Sequence, residues 1–336
     1  MYKGNRRSWE DDRPVGFEPQ GREKGEITMR FCGIADEAGK TIAEQIRAHK
    51  ELGWDLIEVR NVEGVNLTDL PDDKFEATLA ALNDAKIGIA CFASQLANWA
   101  RPITGDFSVD VAELKRAIPR MHKAGTKFIR CMSYPNDKNS PWPDDKWRDE
   151  AVRRLKELAR MAEDGGVVLV HENCSGWGGQ GPKQMAEIWE RVGSPAFQLC
   201  YDTGNLHGND PWEFYLASRE HAVHVHVKDY RKLPDGKEEA CFPGEGIGRV
   251  ADVLSDLMTR GYDGAISIEP HMSSVVHLRQ EAKDPDAAYK VYVEYGRRLM
   301  GLVQNVKGQA RTMVMPSVGS KAKSRKGGKG KGAGRK

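Results

Sequence analysis

Four short apolar runs in the second half of the chain each end on a group able to bind a metal or move a proton. Val167–His171 is followed by Glu172 and Asn173, and Phe197–Tyr201 by Asp202, Thr203, Gly204 and Asn205. Ala222–Val227 carries His224 and His226 and runs into Lys228 and Asp229, and Ala265–Ile268 is followed by Glu269, Pro270 and His271. Side chains along a strand alternate between its two faces. Phe197, Leu199 and Tyr201 on one face put Asp202 on the other with Gln198 and Cys200. By the same parity Val223, Val225 and Val227 leave His224 and His226 together, and Ile266 and Ile268 leave Glu269 opposite them. Glu172 shares a face with Val168 and Val170. Two Glu, one Asp and one His make an oxygen-rich donor set with one nitrogen, which suits Mn²⁺, Mg²⁺ or Co²⁺, with Zn²⁺ as an alternative. Carboxylates gathered in a low dielectric repel one another, and a dication would offset that repulsion. One such residue at a strand end is as readily a cap or a hydrogen-bond partner. Four on consecutive runs argue for a site.

The elements that position these groups repeat. Further strand-like runs lie at Arg30–Ala35, Leu56–Arg60, Ile87–Ala93 and Phe128–Met132, mostly β-branched, apolar or Cys, as strands buried on both faces should be. Between the runs lie helical patterns at Thr41–Leu52, Asp72–Ala85, Val109–Ala124, Asp144–Glu163, Pro182–Arg191, Pro211–Ser218 and Arg249–Arg260, with an eighth at Asp286–Gln304. Several open on a capping Asp or Thr, and several close on a glycine such as Gly53, Gly125 or Gly193. Eight strand–helix units predict an α/β fold of the (β/α)₈ TIM-barrel type, with the active site at the carboxyl ends of the strands. A doubly wound open sheet is the alternative, but no G-x-G-x-x-G follows the first strand. The expected organisation is a flexible leader over 1–26, a catalytic barrel over 27–306 and a disordered basic tail over 307–336.

Composition narrows the function classes. Of 336 residues, 39% are hydrophobic and 30% charged, enough apolar content for a sizeable core. The formal charge of +2 conceals an asymmetry: eight basic and no acidic residues lie from Pro316 to Lys336, which leaves the rest of the chain at −6. An acidic body disfavours a barrel that coats nucleic acid, although the tail itself could contact nucleic acid or an acidic surface through phosphate or carboxylate attraction. No apolar run nears the roughly 20 residues of a membrane span, and no secretory signal is visible in residues 1–26. The six cysteines form no C-x-x-C pair, and most lie in the apolar runs, as reduced core thiols of a cytoplasmic enzyme would. Helix faces exist for a homo-oligomer.

The segments His171-Glu172-Asn173, Tyr201-Asp202-Thr203-Gly204-Asn205, His224-Val225-His226-Val227-Lys228-Asp229, Pro243-Gly244-Glu245-Gly246 and Ile268-Glu269-Pro270 resemble the xylose-isomerase-like TIM-barrel family of sugar phosphate isomerases and epimerases, related to ketose 3-epimerases. The resemblance covers about residues 29–304, and Gly53–Arg60 fits the family's second strand. It implies metal ligands at Glu172, Asp202, His226 and Glu269, with Glu172 and Glu269 also the acid/base pair that flanks a carbohydrate carbon. The implied chemistry is removal of a proton beside a metal-held carbonyl, through an enediolate, and its return to the opposite face or the neighbouring carbon. Two departures stand out: Asn205 occupies the place of a substrate-holding His, with His207 two residues on, and Gly178 stands where the epimerases have Glu. Arg231 matches their substrate-binding Arg.

Other residues carry weaker signals. Glu58 and Arg60 share the inward parity of the second strand, and they join Asn205, His207, Lys228 and Arg231 as expected substrate-binding groups. His171 has helix-facing parity and is expected to pack, whereas His271 could reach the site or stay in solvent. Ser175–Gly181 reads as a lid with Trp177 over the substrate, or loosely as an anion cradle. Trp99, Trp142 and Trp147 follow the third and fourth strands, where they could wall a sugar pocket. A metal-dependent lyase or hydratase acting on an oxidised (keto) sugar or glycoside would use the same apparatus. An endonuclease IV-like repair enzyme is disfavoured, because no His ends the second to fourth strands. A non-catalytic sugar-binding barrel is the remaining alternative.

Overall fold

The chain alternates strand and helix from residue 30 onward in a computed structural model that describes residues 29–272 and 285–314. The leader expected over 1–26 and the tail from 315 on lie outside the described residues. The first half runs β1 (Arg30–Gly33), α1 (Ile42–Leu52), β2 (Leu56–Val59), a small hairpin of β3 (Asn61–Val62) and β4 (Val65–Asn66), α2 (Asp72–Asp84), β5 (Gly88–Phe92), α3 (Ser108–Ala124), β6 (Phe128–Ser133) and α4 (Asp144–Asp164). The second half runs β7 (Val168–Gly176), α5 (Pro182–Val192), β8 (Phe197–Asp202), α6 (Pro211–Ser218), β9 (Ala222–Val227), a hairpin of β10 (Asp229–Lys232) and β11 (Glu238–Cys241), α7 (Val250–Thr259), β12 (Ala265–Ile268) and α8 (Pro285–Val314).

Eight parallel strands form one sheet in the order β1-β12-β9-β8-β7-β6-β5-β2. A parallel bridge between Ile34 and Glu58 joins its two ends, so the sheet closes into the expected TIM barrel. The helix boundaries follow local chemistry. Thr41 caps α1 through a capping box with Glu44, and Gly53 ends it in the left-handed conformation. Asp210 accepts the first N–H groups of α6, with Pro211 at the first helical position. The helix-facing side chains of the strands build two large apolar clusters with the helices. A small third cluster of Cys91, Val168, Val170 and Cys200 fills the barrel interior. All six cysteines are free.

Two expectations shift. α8 runs from Pro285 to Val314, beyond the helical pattern expected over Asp286–Gln304, with Gly308 inside it. A lone helical glycine costs about 1 kcal/mol relative to alanine and does not by itself stop a helix. The β10–β11 hairpin has no counterpart in the apolar pattern, because its residues are mostly polar. Among the described residues no helix is long and apolar enough to cross a membrane.

α1 also carries a buried histidine with a stability consequence. His49 packs between Trp54 and Tyr292, and its Nδ1 bonds the Gln45 carbonyl at 2.9 Å. Burial pushes its imidazole down to about 4, against an unfolded value near 6.5. The unfolded chain therefore takes up a proton that the folded chain refuses. The contribution is intact above about pH 6.5 and is lost as the pH falls toward 4, by up to about 3 kcal/mol. Urea unfolding of the parent and of His49→Gln at pH 7, 5.5 and 4 is expected to show the parent's advantage shrinking with acid. A constant difference would mean that His49 takes up its proton as readily in the fold as in the unfolded chain.

Candidate metal centre and active site

The four expected ligands meet at the carboxyl end of the barrel. Glu172 lies on β7, Asp202 ends β8, His226 sits near the end of β9, and Glu269 follows β12. Parity places them inward: Leu199, Tyr201, Val225, Val227, Ile266 and Ile268 all pack in the helix-facing core. Register then sets their height, with Asp202 opposite His226 and His226 opposite Ser267, two residues before Glu269. One ligand atom from each of the four lies within 4.8 Å of the others. His226 Nδ1 is 3.3 Å from Glu172 Oε1, 3.7 Å from Asp202 Oδ2 and 4.0 Å from Glu269 Oε2.

This donor set fits a divalent ion. Glu172 Oε2, Asp202 Oδ2 and Glu269 Oε2 are buried and receive no hydrogen bond of good geometry, an arrangement that is costly unless a cation compensates it. Protein cations meet part of that need. The Lys228 ammonium stands 3.1 Å from Asp202 Oδ2 and 2.5 Å from Glu269 Oε2, and Arg130 Nη1 lies 3.4 Å from Glu172 Oε2. Burial alone would raise the Glu172 carboxyl, but Arg130 and His226 hold it down to about 2. Lys228, His271 and Arg60 hold Glu269 well below the usual carboxylate range against the same burial. Burial pushes Asp202 up to about 7 despite Lys228.

A cavity of about 230 Å³ opens over the cluster, with Glu172 and Glu269 in its wall. Four of the expected substrate-binding residues border it: Arg60, Asn205, His207 and Lys228. Asn205 also donates to Glu172 Oε1 at 3.0 Å. Two do not. Arg231 points away on the β10–β11 hairpin, where it pairs with Glu239 in solvent. Glu58 is fully buried inside the barrel, with its carboxylate on His224 and His226 rather than in the cavity wall. A larger cavity of about 490 Å³, bordered by Thr126, Lys127, Gly166 and Ala196, opens between the loops that precede β6, β7 and β8. None of the strand-end carboxylates borders it, so the smaller cavity is the chemical one.

The remaining candidates divide. Of the three tryptophans only Trp99 borders the cavity; Trp147 is buried and donates to the Tyr134 carbonyl. Ser175–Gly181 is neither lid nor cradle: β7 continues through Gly176, Trp177 is buried with its Nε1 donating to Asp144, and the Gly178 N–H donates to Ser133 Oγ. A Cβ at Gly178 would lie 2.8 Å from Ile188 and 2.9 Å from His171, so a Glu cannot stand there. His171 packs on Phe197 on the helix side, as its parity predicts. The Pro243–Gly246 turn is organised by Asp229, whose carboxylate accepts from the N–H groups of Gly244, Gly246 and Gly248. His271 is buried at the site, its Nε2 3.2 Å from Glu269 Oε1 and its Nδ1 2.9 Å from the Tyr230 hydroxyl.

Two site residues were not singled out from sequence. Arg130 stands on the inward face of β6 and pairs with Glu172; an arginine inside an apolar strand run was the available signal. Glu37, in the turn after β1, lies 3.4 Å from Arg60 and 3.5 Å from His271. An Asp-Glu pair at the carboxyl end of a barrel strand was its signal.

A family model of the xylose isomerase-like TIM barrel matches residues 46–295. An inosose dehydratase from Bacillus thuringiensis is 25% identical over 176 residues, covering 44% of this chain and 59% of that protein. The chain thus spans less than two thirds of the length of several curated relatives. Among solved structures, L-ribulose 3-epimerase is similar with a TM-score of 0.65 at 18% identity, over 86% of this chain and 99% of that one. A xylose isomerase-like TIM barrel protein from Mycobacterium smegmatis in complex with magnesium gives a TM-score of 0.61 at 18% identity, over 83% and 97%. At such identities the structural likeness concerns the fold, whereas the family match covers most of the barrel together with the strand ends that carry the four ligands. The chain belongs to the xylose isomerase-like TIM barrel family.

Proposed function

We propose that the chain is a divalent-metal-dependent isomerase or epimerase of a sugar, keto-sugar or sugar-like substrate, with Glu172 and Glu269 as its acid/base pair. One observation carries the reading: ligand atoms from four consecutive barrel strands gather within 4.8 Å of one another, and two of their residues, Glu172 and Glu269, border a cavity of about 230 Å³. Glu172, Asp202, His226 and Glu269 would hold the ion, and the magnesium complex of the related barrel supports a divalent cation. When bound, the ion supplies Lewis acidity that offsets negative charge developing on a substrate oxygen.

The chain's own groups do the rest. Glu172 and Glu269 occupy the two ends of the four-strand arc, each anchored by its own guanidinium, Arg130 and Arg60. Both carboxylates are held ionised, the form a general base needs, although their lowered pKa values also lower their basicity. Asn205, His207 and Lys228 supply hydrogen bonds to hydroxyl groups, and Trp99 supplies an apolar face for a sugar ring. A dehydratase acting on a keto-sugar is the second reading. The inosose dehydratase relatives favour it.

The test begins with metal content. The purified full chain is expected to hold near-stoichiometric Mn, Mg, Co or Zn by elemental analysis, and Glu269→Gln to lose most of it. Incubation of the parent with keto-sugars and inososes in D₂O, followed by NMR and mass spectrometry, then separates the chemistries. An isomer carrying solvent deuterium supports the first reading, and loss of water supports the second. A parent that takes up no divalent metal even when supplied with it sinks both.

A further inference from the structure

Glu58 is a charged side chain without a place in the cavity wall, and it sits where charge is most costly: inside the barrel, with none of its surface exposed. Its Oε2 lies 2.7 Å from Nε2 of His224 and 3.0 Å from Nε2 of His226, and its Oε1 lies 3.2 Å from the latter. An ionised carboxylate only accepts. Both imidazoles must therefore carry a proton on Nε2 and aim it at Glu58.

That fixes the other side of the His226 ring. Nδ1 is the nitrogen that faces Glu172, Asp202 and Glu269, at 3.3 to 4.0 Å. A ring nitrogen serves as a metal ligand only through its lone pair, and which nitrogen has one is set by the hydrogen bond its partner makes. Flipping the ring would exchange Nδ1 with Cδ2 and Nε2 with Cε1, leaving carbon atoms facing both the carboxylates and Glu58. The ring as placed is therefore the one that meets both sides with nitrogen.

We infer that Glu58 is a positioning residue for the metal centre: by accepting from Nε2 of His226, with His224 holding the acceptor in place, it commits Nδ1 of His226 to the ion. The inference rests on the proposed metal site and adds to it a residue that touches neither ion nor substrate. It also accounts for the inward pair of histidines on β9. His226 is the ligand, and His224, one repeat deeper in the strand, completes the hydrogen bonding of the carboxylate that orients it.

Two measurements test it. The first is titration of metal-free parent, Glu58→Gln and Glu58→Ala with Co²⁺, read by visible absorption, alongside thermal unfolding of the metal-free forms. Loss of the orienting acceptor in Glu58→Ala is expected to weaken binding about 10- to 100-fold and to alter the ligand-field bands, whereas Glu58→Gln, whose amide oxygen still accepts but carries no charge, should lose less. The second, which needs no variant, is ¹⁵N NMR of histidine-labelled, Zn²⁺-loaded parent. The expected result is a retained Nε2–H on His226 and no proton on Nδ1. Parent-like Co²⁺ affinity and spectrum in folded Glu58→Ala, or metal on Nε2 of His226, overturns the inference while leaving the metal site standing. A parent that binds no metal overturns the metal reading itself and this inference with it.

Discussion

Glu269→Gln is expected to lower turnover by about 10²- to 10⁴-fold, with the fold intact. The substitution keeps the shape of the side chain and removes what the chemistry uses: a negative charge in the ligand cluster and a base that can take up a proton. In the parent, Arg60 Nη1 at 2.8 Å, Lys228 Nζ at 2.5 Å and His271 Nε2 at 3.2 Å all converge on this carboxylate. Three donors arranged around one carboxylate are preorganised for the ionised form. A neutral amide there loses the charge complement of Arg60 and Lys228 and offers the ion a weaker oxygen. Glu172→Gln is expected to behave alike, since it is the other end of the same arc and has Arg130 in the equivalent place. Solvent deuterium incorporation at the substrate carbon is the decisive readout, because it follows the proton rather than the product. If one variant still exchanges at the parent rate under conditions where it holds metal, that glutamate is a ligand without an acid/base role.

The success of strand parity and its failures have one physical origin. Alternation tells inside from outside wherever one face is plainly apolar, as on β8, β9 and β12, and there it delivered Asp202, His226 and Glu269 to the correct side. It does not tell height along the barrel. Glu58 and Arg60 have the same parity, yet one repeat of about 6.6 Å separates a carboxylate beneath the site from a guanidinium in the cavity wall. That height follows from closure: Glu58 pairs with Cys91 after a register shift and bridges to Ile34. Neither pairing is written in local sequence. Arg231 was expected at the substrate from the family resemblance and not from parity, and the β10–β11 pairing sets it against Glu239 within two polar segments that show no alternation. Trp177 sits in a run of glycines that looks like a loop, and only the distant Asp144 on α4 and Ser133 on β6 show that the run is packed. Helix ends were more legible. The capping box of α1, the Asp-Pro start of α6 and the left-handed glycines at 53, 125 and 193 are decided by neighbours a few residues away.

Arg60→Met should be the most destabilising single change at the site, because it removes one cation from three buried carboxylates at once. Arg60 is 7% exposed, and its guanidinium reaches Asp36 at 3.0 Å, Glu37 at 3.4 Å and Glu269 at 2.8 Å. Removing one partner from a buried ion cluster typically costs about 3–5 kcal/mol, because the charges left behind have been taken out of water without compensation. Glu37 shows how close the cluster already stands to that limit: burial pushes its carboxyl up to about 8 even with Arg60 opposing the shift. Without Arg60 the shift grows, and the folded chain holds a proton that the unfolded chain releases near pH 4.3. A carboxyl raised in this way contributes stability below its unfolded value and loses it as the pH rises through the folded one. The deficit of Arg60→Met against the parent from this group should therefore stay level up to about pH 7 and widen as the pH rises through 8 and beyond, as measured by urea unfolding of metal-free protein at pH 6, 8 and 9.5. Arg60→Lys, which restores one charge without the planar fork, should recover part of the deficit at pH 8 and less of the activity, since an ammonium cannot hold Asp36 and Glu269 in the same geometry. A deficit under about 1 kcal/mol that does not vary with pH would show that the carboxylates are solvated in the absence of Arg60. Glu269 would then owe its low pKa to Lys228 and His271 alone.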